Sequence, residues 1–330
     1  MAVTANTNET YDVSTIREDL SEAMASITPT ETLLMSSIGT RNVDNTFFEW
    51  SEVDLAATGA NRQIEGDVGL SNTSPTNAVR KGAHTQISAK VVEVSSTNQA
   101  VNGVANAQTV AKQVAYKLSE LKRDMEAMLL DNVASNAGAS GTARATAGLP
   151  AYLTTNVSRG SGGANGTTSG TGEAGFVNAA ATDGTLRPIT EALLKGVIAD
   201  CWNAGATPKI VMCGSAQKQK ISTFTGNATR FKEAEDSKLN AAIDVYVSDF
   251  GEVQIVPNRH MRKRTVSSVV FTPDVLVLDP SFAEVAYLQT AKQEPLAKTG
   301  LSERRLISAE YGLQVTSQKA HGIVADINAS

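Results

Sequence analysis

Residues 105–132, ANAQTVAKQVAYKLSELKRDMEAMLLDN, carry the longest uninterrupted helical pattern in the chain. Val110, Val114, Leu118, Leu121, Met125, Leu129 and Asn132 recur at steps of three and four residues, the spacing that lines one face of a 3.6-residue period. Such a face needs cover, so a helix of roughly 40 Å, at about 1.5 Å per residue, is expected to lie against another layer. Lys112, Lys117, Glu120, Lys122, Arg123, Asp124 and Glu126 fall mostly on the remaining surface, and no Gly or Pro interrupts the run. Both a central strut carrying long-reaching elements and the largest helix of an enzyme core fit this segment.

Upstream of it, residues up to about 38 read as an arm with two short helices. Thr15 and Glu18 can form a capping box ahead of Ile16, Leu20, Ala23 and Met24. A second start is written in Thr28-Pro29-Thr30-Glu31, with Gly39 stopping the helix after Leu33, Leu34 and Ile38. An arm of this size cannot close its own core, so it is expected to lie on the main body or on a neighbouring copy. TFFEWSEVD, 46–54, is rich in strand formers, with Phe48 and Trp50 on one side of the pleat and Phe47, Glu49, Ser51 and Val53 on the other. Alternation resumes over 83–95, with Ile87, Ala89 and Val91 set against Gln86, Ser88 and Lys90. Between these strands, 55–82 is rich in Gly, Asn, Ser and Thr, which predicts a long hairpin with a broad polar end. Two isolated strands do not support themselves in water, and a loop this long in a compact domain has a job. Lying across another subunit is the expected one.

Downstream, Gly148-Leu-Pro-Ala-Tyr-Leu153 leads into SRGSGGANGTTSGTGEAG, 158–175, whose composition predicts a flexible surface loop. From Thr185 a second region begins with a helix: Pro188 near its start, Leu193, Leu194, Val197, Ile198 and Cys201 as its buried stripe, and Gly205 just past its end. A buried strand over 209–213, a helix over 215–224 capped by Ser215, and a hairpin over 246–257 turning at Asp249-Phe250-Gly251 follow. Another buried strand, 275–278, is closed by Asp279-Pro280, and 283–289 is expected to continue the same sheet. Strands 306–315, with Ile307, Ala309, Tyr311, Leu313 and Val315 on one face, and 322–327 are expected to pair beside the long helix. The second region is then an α+β insertion, because the repeated β-α-β-α cadence of a doubly wound fold is missing.

Composition bounds the function. The 330 residues can bury one large core or two modest ones, and 41% hydrophobic content is that of a soluble globular protein. A net charge of -5 and a pI of about 5.4 argue against a coat that works by neutralising phosphates. Aromatic residues make up only 5%, and small side chains each bury little area at about 25 cal/mol per Å², so contacts between copies are expected to share the work of stability. Cys201 and Cys213 follow no metal or redox spacing and read as two buried thiols in a reducing compartment. The start, MAVTANTNETYDV, lacks a basic n-region and apolar h-region, and no run reaches the length of a membrane span, so a soluble cytoplasmic product is expected. Without export, triplets such as Asn72-Thr73-Ser74 and Asn227-Ala228-Thr229 carry no glycosylation signal.

A search for chemistry returns little. His84, His260 and His321 sit in separate elements with no ligand spacing. Asp249-Phe250-Gly251 copies the metal-holding triplet of kinases without the motifs that accompany it, and reads as a turn. Gly170-Thr171-Gly172-Glu173-Ala174-Gly175 fits GxGxxG, yet no strand precedes it and no acidic partner follows in context. Glu233, Glu235 and Asp236 alternate with Lys232 and Lys238, as on a solvated face. One basic cluster, Arg259, His260, Arg262, Lys263 and Arg264, lacks interleaved aromatics for base stacking and favours a subunit contact over nucleic acid. Glu303, Arg304 and Arg305 form a second charged group. Exposed pairs of this kind are worth about 0 to 1 kcal/mol each, so they count when symmetry repeats them.

The order of parts, and the phrases TFFEWSEVDL, KVVEVSSTNQAV, ELKRDMEAMLLDN, WNAGATPKIVMCGSAQKQKISTF, SDFGEVQIVPNRHMR, VLVLDPSFAEVAYL and LAKTGLSERRLISAEYGLQV, resemble the major capsid proteins of tailed bacteriophages. The resemblance spans essentially the whole chain. It implies an α+β fold of the Hong Kong 97 type, with an N-terminal arm (1–42), an extended two-stranded loop (43–98), a peripheral domain with the spine helix (99–135 and 291–330), a flexible Gly-rich surface segment (136–182) and an inserted axial domain (183–290). It further implies hexamers and pentamers of an icosahedral head enclosing double-stranded DNA, assembled in the bacterial host cytoplasm. Implied partners are copies of the chain, portal, scaffolding and decoration proteins and non-specifically packaged DNA, with no membrane, no cofactor, no metal and no catalytic step. The arm starts near Met1, so scaffolding is expected from another chain, and no motif assigns Lys or Asn positions to covalent cross-links. Candidate intersubunit contacts are Phe48, Trp50, Arg62, Glu65 and Arg80 on the hairpin, with Arg259, Arg262, Arg264, Arg304 and Arg305 elsewhere. Two rival readings are an α/β enzyme binding a nucleotide or phosphate at the Gly-rich run, and a non-viral protein cage.

Overall fold

The computed structural model describes residues 28–60, 62, 65–66, 75–101, 109–169, 175–224, 245–266 and 268–328. In chain order a short helix α1 (Leu33–Ser37) and strand β1 (Gly39–Asn42) are followed by β2 (Phe47–Glu52), β3 (Val79–His84) and β4 (Gln86–Ser95). One turn of helix, α2 (Ser96–Ala100), precedes the long helix α3 (Val110–Leu130), and α4 (Leu149–Tyr152) comes after it. Short strands β5 (Val157–Ser158), β6 (Thr167–Ser169) and β7 (Phe176–Ala179) lead to α5 (Glu191–Asn203), β8 (Ile210–Cys213) and α6 (Ser215–Ile221). The remainder is strand: β9 (Val245–Ser248), β10 (Gly251–Pro257), β11 (Arg264–Val266), β12 (Val269–Phe271), β13 (Val275–Leu278), β14 (Ala283–Pro295), β15 (Ser302–Val315) and β16 (Gly322–Val324).

Helix α3 starts where the Thr109 hydroxyl accepts from Lys112 N, and its 21 residues span about 32 Å at 1.5 Å per residue. It stops short of the expected end because Asn132 turns aside to pair with Ala181, donating to its O at 2.6 Å and accepting from its N at 3.0 Å. Positions 105–108 lie outside the described residues. Leu121, Met125 and Leu129 are fully covered, while Val110, Val114 and Leu118 are partly covered. That stripe packs on a four-stranded sheet of order β1-β14-β15-β4. Ile307, Ala309, Tyr311, Leu313 and Val315 of β15 are all buried, as their alternation predicts. Lys90 on the same face of β4 reaches up to Glu120 and Asp124 of α3 at 3.3 and 2.7 Å.

A second sheet, of order β5-β16-β13-β8-β10-β9, forms the other layer. Its central strands are apolar on both sides for a simple reason. Val275, Val277, Val211 and Val324 join Leu194, Val197, Ile198 and Cys201 of α5 in one core, while Leu276, Leu278, Met212 and Ile323 point into the core shared with α3. The hairpin of β9 and β10 matches expectation, and helix α5 keeps its expected stripe and its stop at Gly205 (φ 94°), but it starts at Glu191 behind the Thr190 cap, which leaves Pro188 ahead of it.

The structure corrects several expectations. The hairpin partner of β2 is β3, paired from Phe47↔His84 to Glu52↔Val79; residues 86–95 instead pair with β15. Alternation ran unbroken through 83–95, so the change of sheet left no trace in the pattern. β14 joins the sheet under α3 rather than extending that of β13, and β16 pairs with β13 and β5 rather than lying beside α3. The arm helix begins at Leu33, not Pro29, and its cap residue Thr32 makes no side-chain capping bond. Gly39, read as a stop, opens a strand parallel to β14. Gly214 rather than Ser215 is the cap of α6. Within the Gly-rich run, Gly160 is packed inward: a Cβ there would sit 2.0 Å from Thr185 O, so the composition reflects close backbone approach as well as loop. The helix expected at Thr15–Glu18, most of the GxGxxG run and the charged stretch 232–238 lie outside the described residues.

Candidate assembly site

The hairpin of β2 and β3 sits on the face of the four-stranded sheet opposite α3. Phe48 and Trp50 are buried there within their own chain, and Gly312 leaves the room: a Cβ at 312 would come within 2.7 Å of Phe48 Cε1. On the other side of the ribbon Phe47 packs against His84, with ring centroids 4.7 Å apart. Ion pairs Lys81–Glu52 at 2.8 Å and Arg80–Glu49 at 3.8 Å run along it, and Lys319–Asp54 at 2.6 Å clips it to the body just past the far end of the pairing. Beyond Asp54 the described residues of the loop, Arg62 and Glu65 among them, are all exposed, Leu55 at 84%.

Past the hairpin the same sheet face carries exposed apolar side chains among the described residues. Lys90 faces α3, so Ile87 and Val91, three residues before it and one after and therefore of opposite parity in the strand, face away from the helix, and both are exposed, at 59% and 47%. Arg304 pairs with Glu93 at 3.4 Å across this face, and Arg305 is held by Glu303 at 2.5 Å.

The structure divides the basic cluster in two. Arg259 and Lys263 are exposed. Arg262 lies between Asp183 at 2.6 Å and Asp274 at 2.9 Å, and Arg264 donates to Asp326 Oδ1 at 3.0 Å and to Gly184 O at 3.1 Å. Asp326, fully buried, also accepts from Gly160 N at 2.9 Å and Gly184 N at 2.8 Å, which ties the Gly-rich segment to the end of the chain. Burial pushes Asp274 up to about 6 against the opposing pull of Arg262 and Arg159. The chain therefore uses Arg262 and Arg264 internally.

No group of His, Cys, Asp or Glu among the described residues could hold a metal ion. Both cysteines are free and buried, with burial raising each thiol to about 12. A surface depression of about 490 Å³ beside the Gly-rich run, lined by Ser161, Gly162, Asp183, Gly184 and Arg264, has its charged groups already paired within the chain. None of the described helices is long and apolar enough to cross a membrane.

Sequence reasoning missed four residues that hold the arm helix and the hairpin in place. Glu126 is fully buried and binds the arm helix; Thr85, Glu310 and Arg144 meet at the root of the hairpin. Buried carboxylates whose donors lie far away in sequence leave no local signal.

A sequence profile of the family described as SU10 major capsid protein matches residues 3–328. The chain is 28% identical over 145 residues to the major capsid protein of Escherichia phage Phieco32, a match covering 44% of this chain and 38% of that protein. Among solved structures, the capsid of a native GTA particle superposes with a TM-score of 0.63 at 13% identity, covering 97% of this chain and 98% of that one. The capsid structure of cyanophage P-SCSP1u gives 0.61 at 11% identity, covering 99% and 97%. The fold shared with these capsids is the α+β Hong Kong 97-type fold that the resemblance implied.

Proposed function

Since the chain belongs to the SU10 major capsid protein family and its role is that of a phage capsid subunit, we propose that its copies assemble into hexamers and pentamers of an icosahedral head enclosing double-stranded DNA. In this reading α3 with the four-stranded sheet is the peripheral part, the six-stranded sheet with α5 is the axial part, and the 53–78 loop lies over a neighbouring copy. The observation that carries it is a pair of uncovered surfaces in one chain. Val53, Leu55 and Val79 of the hairpin are exposed, and so are Ile87 and Val91 on the sheet beyond it. Laying the loop of one copy on the sheet of the next covers both. Such a contact is heterologous, and when its rotation closes it builds rings.

The axial assignment is supported by exposed Val245 and Val247 on β9, an edge strand of the six-stranded sheet, and by exposed Trp202 stacked on Phe250 at 5.0 Å. Arg62, Glu65, Arg80 and Arg259 remain the charged contact candidates best placed for a neighbour. The role is structural, with no reaction step. Portal, scaffolding and decoration proteins are the further partners, DNA is packed without sequence recognition, and assembly takes place in the host cytoplasm. Electron microscopy of the purified chain tests the proposal: regular shells or capsomers are expected, and a small monodisperse oligomer overturns it.

A further inference from the structure

Helical periodicity sets Glu126 mostly on the outer surface of α3, yet the residue has no exposed surface. Its Oε1 accepts from Leu34 N at 2.6 Å and from Asn258 Nδ2 at 2.8 Å, and its Oε2 accepts from Met35 N at 2.9 Å. One carboxylate thus joins three separate parts: the first turn of the arm helix α1, the spine helix α3, and the residue that follows β10 in the second region.

Each bond depends on the others. α1 has five residues, no side-chain cap and no acidic residue in its first turn. A helix so short does not persist alone, and its leading N–H groups need an acceptor, preferably an anionic one. Glu126 supplies it. A fully buried carboxylate is tolerated only while its donors are in place. Asn258 supplies the donor that comes from outside the arm, and Asn258 is itself locked to the second sheet: its N donates to Cys213 O at 2.9 Å and its Oδ1 accepts from His260 N at 2.8 Å. The position of Nδ2 therefore follows the C-terminal ends of β8 and β10.

We infer that Glu126 is a positioning residue that couples two docking events, so that the arm stays on α3 only while the C-terminal ends of β8 and β10 in the second region are seated against the helix. Displacing those strand ends takes away one donor of Oε1, frees the carboxylate to turn, and releases Leu34 and Met35. The coupling belongs to a single subunit; its consequence, an arm made available to a neighbouring copy, rests on the reading of the chain as a shell subunit.

Amide hydrogen exchange on the full-length protein tests it. Asn258→Ala, far from the arm in sequence, is expected to speed exchange over 33–38 by about tenfold while 194–201 in α5 stays protected. Glu126→Gln is expected to do at least as much, and the double variant no more than Glu126→Gln alone. Thr32→Asp, which gives α1 a cap of its own, is expected to restore protection in Asn258→Ala, and this rescue decides the matter should Glu126→Gln not fold. An arm as protected in Asn258→Ala as in the parent overturns the inference, as do multiplying effects of the two variants. If exchange behaves as expected while Asn258→Ala builds shells like the parent, the coupling stands and the role of the arm in assembly falls.

Discussion

The hydroxyl of Thr85 donates to Glu310 Oε1 at 2.7 Å, and Arg144 donates to that same oxygen. This junction stands where the chain leaves the hairpin for the four-stranded sheet: β3 ends at His84 and β4 begins at Gln86. Thr85 N meanwhile donates to Thr46 O at 2.8 Å, and His84 Nδ1 lies 3.0 Å from Ser135 Oγ. Phe48 and Trp50 hold the ribbon to the sheet by apolar contact, which is not directional; the bonds at Thr85 and His84 are. Two strands drawn from residues 53–78 reach at most roughly 43 Å, at about 3.3 Å per residue, so a swing of about 10° at the root moves the far end by roughly 7 Å, more than one strand spacing of about 4.8 Å.

Thr85→Val keeps the shape and removes the donor from a buried, charged acceptor. A loss of about 1–3 kcal/mol in unfolding free energy is expected, with most of it restored by Thr85→Ser. Denaturant melts measure it, and micrographs of the same variants should show fewer regular particles for Val than for Ser.

Burial separates two substitutions of the same chemistry. Leu121→Asp places a carboxylate at a site 1% exposed, costing several kcal/mol, and is expected to abolish the cooperative melting transition. Ile87→Asp, at an exposed position on the sheet face past the hairpin, is expected to change stability by less than about 0.5 kcal/mol while stopping shell formation. Circular dichroism melts and negative-stain images of both variants check the pair; an Ile87→Asp chain that builds normal shells shows that this face stays uncovered in the assembly.

Two buried groups give opposite pH dependence. Burial lowers His321 from 6.5 to about 4, so its contribution is present above 6.5 and is lost as pH falls towards 4, about 3 kcal/mol in all. Asp274 is raised from 3.8 to about 6; its contribution is present below 3.8 and is lost as pH rises through 6, a similar amount of opposite sign. Between pH 4 and 6 the two nearly cancel, so a shallow stability profile is expected there from this pair. Asp274→Asn removes one side of the balance, and its unfolding free energy should fall more steeply than the parent's on going from pH 6.5 to 4. Equal slopes contradict the assignment.

Local periodicity made much of the fold readable. The stripes of α3 and α5, the alternation of β15 and the turn at Asp249-Phe250 all follow from spacings inside one element. Where the structure departed, distance along the chain was the cause. Glu126 is buried because backbone amides 91 and 92 residues away come to it, and no helical wheel contains them. Thr85 ends one sheet and begins another without breaking a period of two. Arg262 and Arg264 form a basic cluster in sequence, but Asp183, Asp274 and Asp326, which engage them, are spread over the second half of the chain. Composition read 55–82 as a polar loop, and its described residues as far as Arg80 are exposed, whereas the residues anchoring the hairpin, each drawn from a different element, left no such signal.

Assembly in this reading turns on the loop beyond Asp54 as a contact between copies. Cryo-electron microscopy of the purified chain beside a variant lacking 58–78 tests it most directly. Closed shells of sixfold and fivefold capsomers are expected for the full chain, with density of one copy's loop lying on the β4–β15 face of the next, and a folded subunit without regular shells for the deletion. Unaltered shells from the deletion, or a loop beyond Asp54 folded back over its own subunit, would overturn that contact.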